Sequence, residues 1–230
     1  MANTIHPSAI VEPGAKLGDN NFIGPYSYIG PNVTIGSNNR FEGHVSIGTA
    51  AEHRDYLRAE AGPVIIGDNN VIREFSTING GTTKQTILGS DIIMMRGCAL
   101  GHDSIIRDKV TLSFNVLIAG HTTVGEGANL GLSACVHQFR VIGAYSMIGM
   151  NSTVTKNTIP FVIAYGNPAE PIRINRIGLT RNGVQEQSLN LFEEWYFSHS
   201  GIFHKPKDID HDFERYVKEF TLDVQKLNQL

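Results

Sequence analysis

The chain has 230 residues, 41% hydrophobic residues and a formal net charge of -3, so one globular domain with a small appendage accounts for its length. The balanced charge, without a block of like charges, argues against a nucleic-acid-binding protein. The N-terminus has no basic segment leading into an apolar run, and no later window is apolar enough to span a membrane. We therefore expect a cytoplasmic protein without an integral membrane segment.

A six-residue repeat organises the first two thirds of the chain. Each hexad opens with Ile, Val or Leu, often followed by Gly, as in IGPYSY, IGPNVT and IGSNNR from residue 23 onward. The repeat is lost after residue 52 and again near residue 80, and it then holds for twelve consecutive hexads from Leu88 to about residue 159. This period, with Gly, Asn and Asp between the apolar positions, is typical of a parallel β-helix in which three hexads complete one coil.

The two interruptions, HRDYLRAEAGPV at 53–64 and GGTTKQ at 80–85, predict loops that leave the prism, and loops on a rigid scaffold often carry function. After residue 171 the apolar spacing becomes helical. The apolar positions of this tail are Val184, Leu189, Phe192, Trp195, Tyr196, Phe213, Tyr216, Val217, Phe220, Val224 and Leu227. We expect a β-helix over 1–177 and a helical tail over 178–230 that packs on the prism or on a neighbouring subunit.

Histidines line up along one edge of the predicted coil. Three hexads make a coil of 18 residues, so the residue one coil after His102 is Gly120, next to His121. The residue two coils after His102 is Gln138, next to His137. Because imidazole is suited to proton transfer near neutral pH, this column predicts a general-base site. The other histidines lie off the column and are interpreted as ordinary polar residues, namely His6, His44, His53, His199, His204 and His211.

Eight stretches stand in order over most of the chain, namely IHPSAIVEPGA, IGPYSYIGP, IGDNNVIRE, ALGHD, IAGH, CVHQFRVIGAYSMIG, IPFVIAYGNPA and INRIGLTRNG. Together they resemble the hexapeptide-repeat acyltransferases, in particular the UDP-N-acetylglucosamine acyltransferases of lipid A synthesis. The resemblance implies a mainly β fold, a left-handed parallel β-helix with a small C-terminal α-helical tail. It also implies a homotrimer whose sites lie in clefts between neighbouring prisms.

The resemblance assigns roles to individual residues. His102 would be the general base that takes the proton of a sugar hydroxyl, Asp103 would orient it, and the Gly120 N–H would stabilise the oxyanion. Since neighbouring strand residues point to opposite faces, the pairing of His102 with Asp103 requires a turn. The implied substrate-binding residues are Asp55, His121, His137, Gln138, Asn175 and Arg181. No metal and no bound cofactor is expected, with acyl carrier protein or coenzyme A presenting the acyl thioester.

Some positions depart from the related enzymes. TIHRGT is replaced by TINGGT, which introduces Asn79 and Gly80, and Ile177 and Asn182 replace charged residues of the nucleotide motif. We therefore expect acyl transfer from a thioester to a hydroxyl of a UDP-N-acetylglucosamine-like nucleotide sugar, with the acceptor or the acyl chain altered. Three alternatives stay open: N-acyl transfer to a nucleotide-linked amino sugar of a surface polysaccharide, a zinc-dependent carbonic-anhydrase-like trimer with ligands His102, His121 and His137, and a non-catalytic sugar-binding prism.

Overall fold

The structure is a computed structural model that describes residues 2–198 and 211–229, including side chains except at 195–198 and 211–213. Within these ranges the chain is a left-handed parallel β-helix of about nine turns followed by three helices. The fold class predicted from the hexads and from the resemblance is confirmed. His199 and His204, and the side chains of Trp195, Tyr196, His211 and Phe213, lie outside the described part.

Three sheets form the faces of a triangular prism, and within each sheet neighbouring strands pair in the order named. Sheet A contains β1 (Thr4–Ile5), β4 (Phe22–Ile23), β7 (Arg40–Phe41), β10 (Val71–Ile72), β13 (Ile93–Met94), β16 (Thr111–Leu112), β19 (Asn129–Leu130), β22 (Met147–Ile148), β24 (Val162–Gly166) and β25 (Ala169–Ile174). Sheet B contains β2 (Ile10–Val11), β5 (Tyr28–Ile29), β8 (Ser46–Thr49), β11 (Thr77–Asn79), β14 (Ala99–Leu100), β17 (Leu117–Ile118), β20 (Cys135–Val136) and β23 (Thr153–Val154). Sheet C contains β21 (Val141–Ile142), β18 (Thr123–Val124), β15 (Ile105–Ile106), β12 (Thr86–Leu88), β9 (Val64–Ile66), β6 (Val33–Ile35) and β3 (Lys16–Leu17).

The register of these sheets repeats every 18 residues where the hexads are unbroken. Leu100 pairs with Ile118, and Ile118 pairs with Val136. In the two-residue strands from β4 onward the second residue is buried in the prism, and side chains such as Ile72 and Leu100 are fully buried. Burial of one such side chain is worth about 1.5–3 kcal/mol, so the stacked apolar column holds the coils together.

Both interruptions of the repeat leave the prism at the same edge. The first loop, residues 50–63, joins β8 to β9, and the second loop, residues 80–85, joins β11 to β12. The inserted residues enlarge the register, so that Ile47 pairs with Ile78 and Ile78 pairs with Leu100. We call this edge, between a strand of sheet B and the next strand of sheet C, the B/C edge, and name the A/B edge and the C/A edge in the same way.

The C-terminal part begins with an antiparallel hairpin of β24 and β25, which the sequence pattern did not predict. The helices α1 (Arg176–Arg181), α2 (Glu186–Ser198) and α3 (His211–Leu227) follow. Their buried side chains Leu179, Leu189, Phe192 and Tyr216 share an apolar cluster with Tyr145 and Phe161 of the prism. These side chains therefore pack on the flank of their own prism. Among the described residues, no helix is long and apolar enough to cross a membrane.

Candidate active site

The predicted histidine column forms at the B/C edge. His102 follows β14, His121 follows β17, and His137 and Gln138 follow β20, on three successive coils. The backbone N–H of His121 donates to the carbonyl of His102, 2.9 Å away, so these two coils are in direct contact at the edge. The 18-residue lap inferred from the sequence therefore brings the imidazoles of His102 and His121 together, with ring centroids 5.1 Å apart.

His102 and Asp103 form a hydrogen-bonded pair. The Nδ1 atom of His102 lies 2.7 Å from Oδ2 of Asp103, and the side chains are 12% and 0% exposed. Asp103 has a φ of 57°, in the left-handed region, which turns the chain so that neighbouring side chains meet. Asp therefore sits here at a conformational cost, and the turn that the pairing requires is present.

The second loop surrounds the carboxylate of Asp103 with donors. The backbone N–H groups of Thr82, Thr83 and Lys84 donate to it over 2.7–3.2 Å, and the hydroxyl of Thr82 donates to Oδ2 over 2.5 Å. Burial would raise the pKa of Asp103, but the hydrogen bonds from Thr82, His102 and the Lys84 backbone outweigh it and hold this pKa well below its ordinary value. An ionised carboxylate only accepts, so Nδ1 of His102 donates in this hydrogen bond, and in the neutral form of the ring the lone pair is on Nε2.

The ring of His102 lies against Gly120 of the next coil. A Cβ atom at residue 120 would stand 2.7 Å from both Cε1 and Nε2 of the imidazole, so only glycine leaves room for the ring. Gly120 is buried. Among the described residues, none provides a hydrogen-bond acceptor for its N–H. A backbone N–H without a partner beside an imidazole is an arrangement that could stabilise an oxyanion.

His121 completes the inner part of the column. Its ring stacks on Phe139 with centroids 4.7 Å apart, and its Nε2 lies 3.6 Å from Oδ2 of Asp103. Burial lowers the pKa of His121, only partly opposed by the charge of Asp103, and this favours the neutral ring. His137 and Gln138 are exposed on the following coil, where Nδ1 of His137 lies 3.1 Å from the Gln138 carbonyl oxygen.

The first loop adds a histidine that the sequence interpretation treated as an ordinary polar residue. The ring of His53 lies edge-on to that of His102, with centroids 6.0 Å apart. Its Nδ1 accepts the backbone N–H of Asp55 over 3.3 Å, and the Asp55 side chain is exposed. The positions of the two interruptions could have indicated this contact. Both loops leave the prism at the B/C edge, on the two coils that precede the coil of His102.

The departure TINGGT has a local structural reason. Asn79 donates to the Thr49 hydroxyl and to the Ala50 carbonyl, both over 3.1 Å. A Cβ atom on Gly80 would stand 2.5 Å from the Gly62 carbonyl oxygen. These two residues therefore join the first loop to the second, where the related enzymes carry a His-Arg pair.

Asn175 and Arg181 lie on a different edge of the same prism. The side chain of Asn175 caps α1 by accepting the Gly178 N–H over 3.2 Å, and it donates to the carbonyl of Tyr145 over 2.8 Å. Tyr145 belongs to the C/A edge, between β21 and β22. Arg181 is exposed at the end of α1. One chain therefore does not bring these residues to His102.

The zinc alternative needs three free imidazoles in one cluster. Among the described residues, the potential ligand atoms within 4.8 Å of one another belong to His102, Asp103 and His121, and His137 contributes none. The carboxylate of Asp103 already accepts hydrogen bonds from the second loop and from His102. This donor set does not match the three open histidines of a catalytic zinc site.

Comparison with known proteins gives consistent matches. The bacterial transferase hexapeptide model matches residues 14–49, and the model of UDP-N-acetylglucosamine O-acyltransferase domain 2 matches residues 158–222. The acyl-[acyl-carrier-protein]--UDP-N-acetylglucosamine O-acyltransferases of Thiobacillus denitrificans and Burkholderia lata are 39% and 40% identical to this chain. Each match covers 84% of this chain, and the matches cover 83% and 81% of the two relatives. The UDP-N-acetylglucosamine acyltransferase structures from Bacteroides fragilis and Francisella novicida are 28% and 29% identical. They cover 94% and 98% of this chain and 96% and 87% of theirs, with TM-scores of 0.81 and 0.70.

Proposed function

The chain belongs to the UDP-N-acetylglucosamine O-acyltransferase family, and on that basis we propose that it moves an acyl group from an acyl carrier protein to a hydroxyl of UDP-N-acetylglucosamine. The chain is an acyltransferase. The observation that carries the proposal is the His102 imidazole, held by the ionised Asp103 and seated on Gly120 at one edge of the prism. A cytoplasmic location stays a prediction.

In the proposed reaction, Nε2 of His102 accepts the proton of the sugar hydroxyl while the hydroxyl oxygen bonds to the thioester carbonyl carbon. The carbonyl oxygen becomes negative and accepts a hydrogen bond from the Gly120 N–H, a contribution of about 3 kcal/mol in comparable sites. The C–S bond then breaks, and the imidazolium returns the proton to the leaving thiolate. Asp103 stays ionised throughout and stabilises the charged ring. The products are an ester and a free thiol.

We propose that three copies assemble through the A/B edge. Five large hydrophobic side chains are exposed along this single edge, namely Tyr26, Phe75, Phe114, Leu132 and Met150. Tyr26 and Phe75 also sandwich His44 in a stack with centroid distances of 5.1 and 5.2 Å. Among the described residues, the C/A edge exposes no large hydrophobic side chain. A monomer rarely exposes so long an apolar row, and closed symmetric assembly covers it.

This arrangement supplies the residues that one chain lacks. When the A/B edges of three subunits meet at a three-fold axis, sheet B of one prism faces sheet A of the next prism across a cleft. The B/C edge of the first subunit and the C/A edge of the second then flank the same cleft. The proposed site therefore combines His102 of one subunit with Asn175 and Arg181 of its neighbour, which bind the nucleotide end of the acceptor. Asp55, His121, His137 and Gln138 bind the acceptor from the first subunit.

Mixing two inactive variants tests the shared site. We expect His102→Ala and Arg181→Ala trimers to be weakly active when each is made alone. Co-expression in equal amounts regenerates intact sites in mixed trimers, because one subunit supplies His102 and its neighbour supplies Arg181. Random assembly gives intact sites at about a quarter of positions, so activity returns to about a quarter of wild type. Specific activity of the purified mixed trimers is the measurement.

A double variant provides the matched control for that experiment. Co-expression of wild-type chains with the His102→Ala, Arg181→Ala double variant corrects for subunit exchange and yield. If the two single variants show no recovery although mixed trimers are isolated, each site lies within one subunit and the shared-site proposal is wrong.

A substrate panel tests the reaction itself. We expect acyl transfer to UDP-N-acetylglucosamine to be at least ~10-fold faster from acyl carrier protein than from a coenzyme A thioester of equal chain length, a difference of about 1.4 kcal/mol. Mass spectrometry identifies the product, and mild base cleaves an ester but not an amide. Faster turnover of an acceptor with an amine in place of the hydroxyl would favour N-acyl transfer instead. No turnover with any nucleotide sugar would contradict the proposed function.

A further inference from the structure

We propose that Thr82, in the second loop, is a positioning residue that sets the orientation of the general base through Asp103. This inference rests on the proposed function, because it concerns the same His102. Thr82 is not placed against substrate. It acts on the carboxylate of Asp103, which accepts hydrogen bonds from four donor groups of the second loop.

The second loop is built to hold one carboxylate. Where the regular coil continues without an insertion, as between Leu100 and Ile118, the register is 18 residues, whereas Ile78 and Leu100 are 22 residues apart. The extra residues make a tight turn, in which a Cβ atom on Gly81 would stand 1.9 Å from the Lys84 carbonyl oxygen. Three successive N–H groups, at residues 82, 83 and 84, then point at Asp103. Such a concave set of backbone donors binds an anion.

The hydroxyl of Thr82 contacts Oδ2 of Asp103, the same carboxylate oxygen that contacts His102. It donates to Oδ2 of Asp103 over 2.5 Å, and the same oxygen lies 2.7 Å from Nδ1 of His102. The backbone N–H of Thr82 lies 3.0 and 3.1 Å from the two carboxylate oxygens. The N–H of Asp103 is itself fixed by the Thr86 hydroxyl over 2.9 Å. The carboxylate therefore cannot rotate about its Cβ–Cγ bond, and the plane of the His102 ring is set over Gly120.

The hydroxyl also limits how strongly Asp103 attracts the imidazole. Charge-assisted hydrogen bonds from Thr82 and His102 share Oδ2, so each weakens the other. Without the hydroxyl, Oδ2 carries more negative charge and favours the protonated form of His102. Three other titratable residues lie beside this pair. Nε2 of His121 is 3.6 Å from Oδ2, the His53 ring lies edge-on to the His102 ring, and the Lys84 backbone N–H donates to the other carboxylate oxygen, Oδ1. Loss of the hydroxyl should move the acid limb of the rate profile to higher pH.

The test compares Thr82→Val, which keeps the shape and removes the hydroxyl, with Thr82→Ser, which keeps the hydroxyl. Thr34→Val is the matched control, because Thr34 is exposed on β6 of sheet C, away from Asp103 and His102. We expect Thr82→Val to lower kcat about 10- to 100-fold, the effect of one hydrogen bond to a charged group. We expect KM for the acceptor to change less than twofold, about 0.4 kcal/mol, and the half-maximal pH of the acid limb to rise.

Thr82→Ser should restore kcat and the pH profile, and Thr34→Val should match wild type. A wild-type kcat and pH profile in folded Thr82→Val would overturn the proposal, and so would a rise in KM alone, which indicates contact with substrate. If Thr82→Val does not fold, Thr82→Ala is measured in its place against the same criteria. A fully active His102→Ala would instead refute the proposed function, so the two failures are distinguishable.

Discussion

Replacement of His102 by alanine is expected to lower kcat at least ~100-fold, the low end of what a general base contributes. The reason is that no other described imidazole combines a free Nε2, an ionised carboxylate on Nδ1 and contact with Gly120. The fold should survive, because Asp103 keeps its donors from Thr82, Thr83 and Lys84 after the ring is gone. Steady-state rates at saturating donor and acceptor are the measurement.

His6→Ala is the matched control for this prediction. His6 is exposed on the N-terminal coil, where its Nδ1 lies 2.8 Å from the Ser8 hydroxyl. It should keep wild-type rates, and both variants should keep the wild-type melting temperature and assembly. A His102→Ala protein that is folded and within tenfold of wild type would show that another group removes the proton.

Gly120→Ala is expected to lower kcat by about 100-fold, although it adds one methyl group and leaves the N–H in place. The new Cβ atom would overlap the His102 ring at 2.7 Å, so the imidazole must move away from the position that its Asp103 contact sets. A shift of about 1 Å in a reacting group costs about that much. Gly120 does not have a positive φ, so the backbone accepts alanine and the effect is confined to the ring.

A double-mutant cycle separates this explanation from general damage to the site. If Gly120→Ala acts by displacing His102, it should cost little further activity in a protein that already carries His102→Ala. Residues in contact give such non-additive effects, and independent residues give additive ones. Equal losses in the two backgrounds would place the effect of Gly120→Ala elsewhere, on the acyl group or the oxyanion. Melting temperatures of the four proteins check the fold.

The β-helix was predictable because its buried apolar residues recur at a fixed spacing in the sequence. An apolar residue every sixth position must face the interior, and the residues that open the later hexads, such as Leu88, Met94 and Leu112, are all buried. The pairing of His102 with Gly120 followed from the same count. The turn at Asp103 was also predictable, since adjacent side chains can meet only where the strand ends.

The residues that surround His102 and Asp103 from the two inserted loops could not be predicted from the repeat. Thr82 and His53 lie in inserted loops, whose paths follow local turn chemistry and loop–loop contacts rather than the repeat. Gly80 and Asn79 looked like lost recognition residues, and their contacts with the first loop became visible only in three dimensions. Nothing in the spacing indicated that three N–H groups and a hydroxyl would meet one carboxylate.

The sequence by itself determined the β-helix, its 18-residue register and the imidazole column, because each depends on a repeat that one strand imposes on the next. Only the tertiary structure decided which donors keep Asp103 ionised, which loop faces His102, and that Asn175 caps α1 at another edge. Those contacts join residues across insertions and across the packing of the helical tail on the prism. Burial and hydrogen bonding in the folded chain set the positions of these residues. Their contacts do not recur at a fixed spacing, so the sequence pattern does not indicate them.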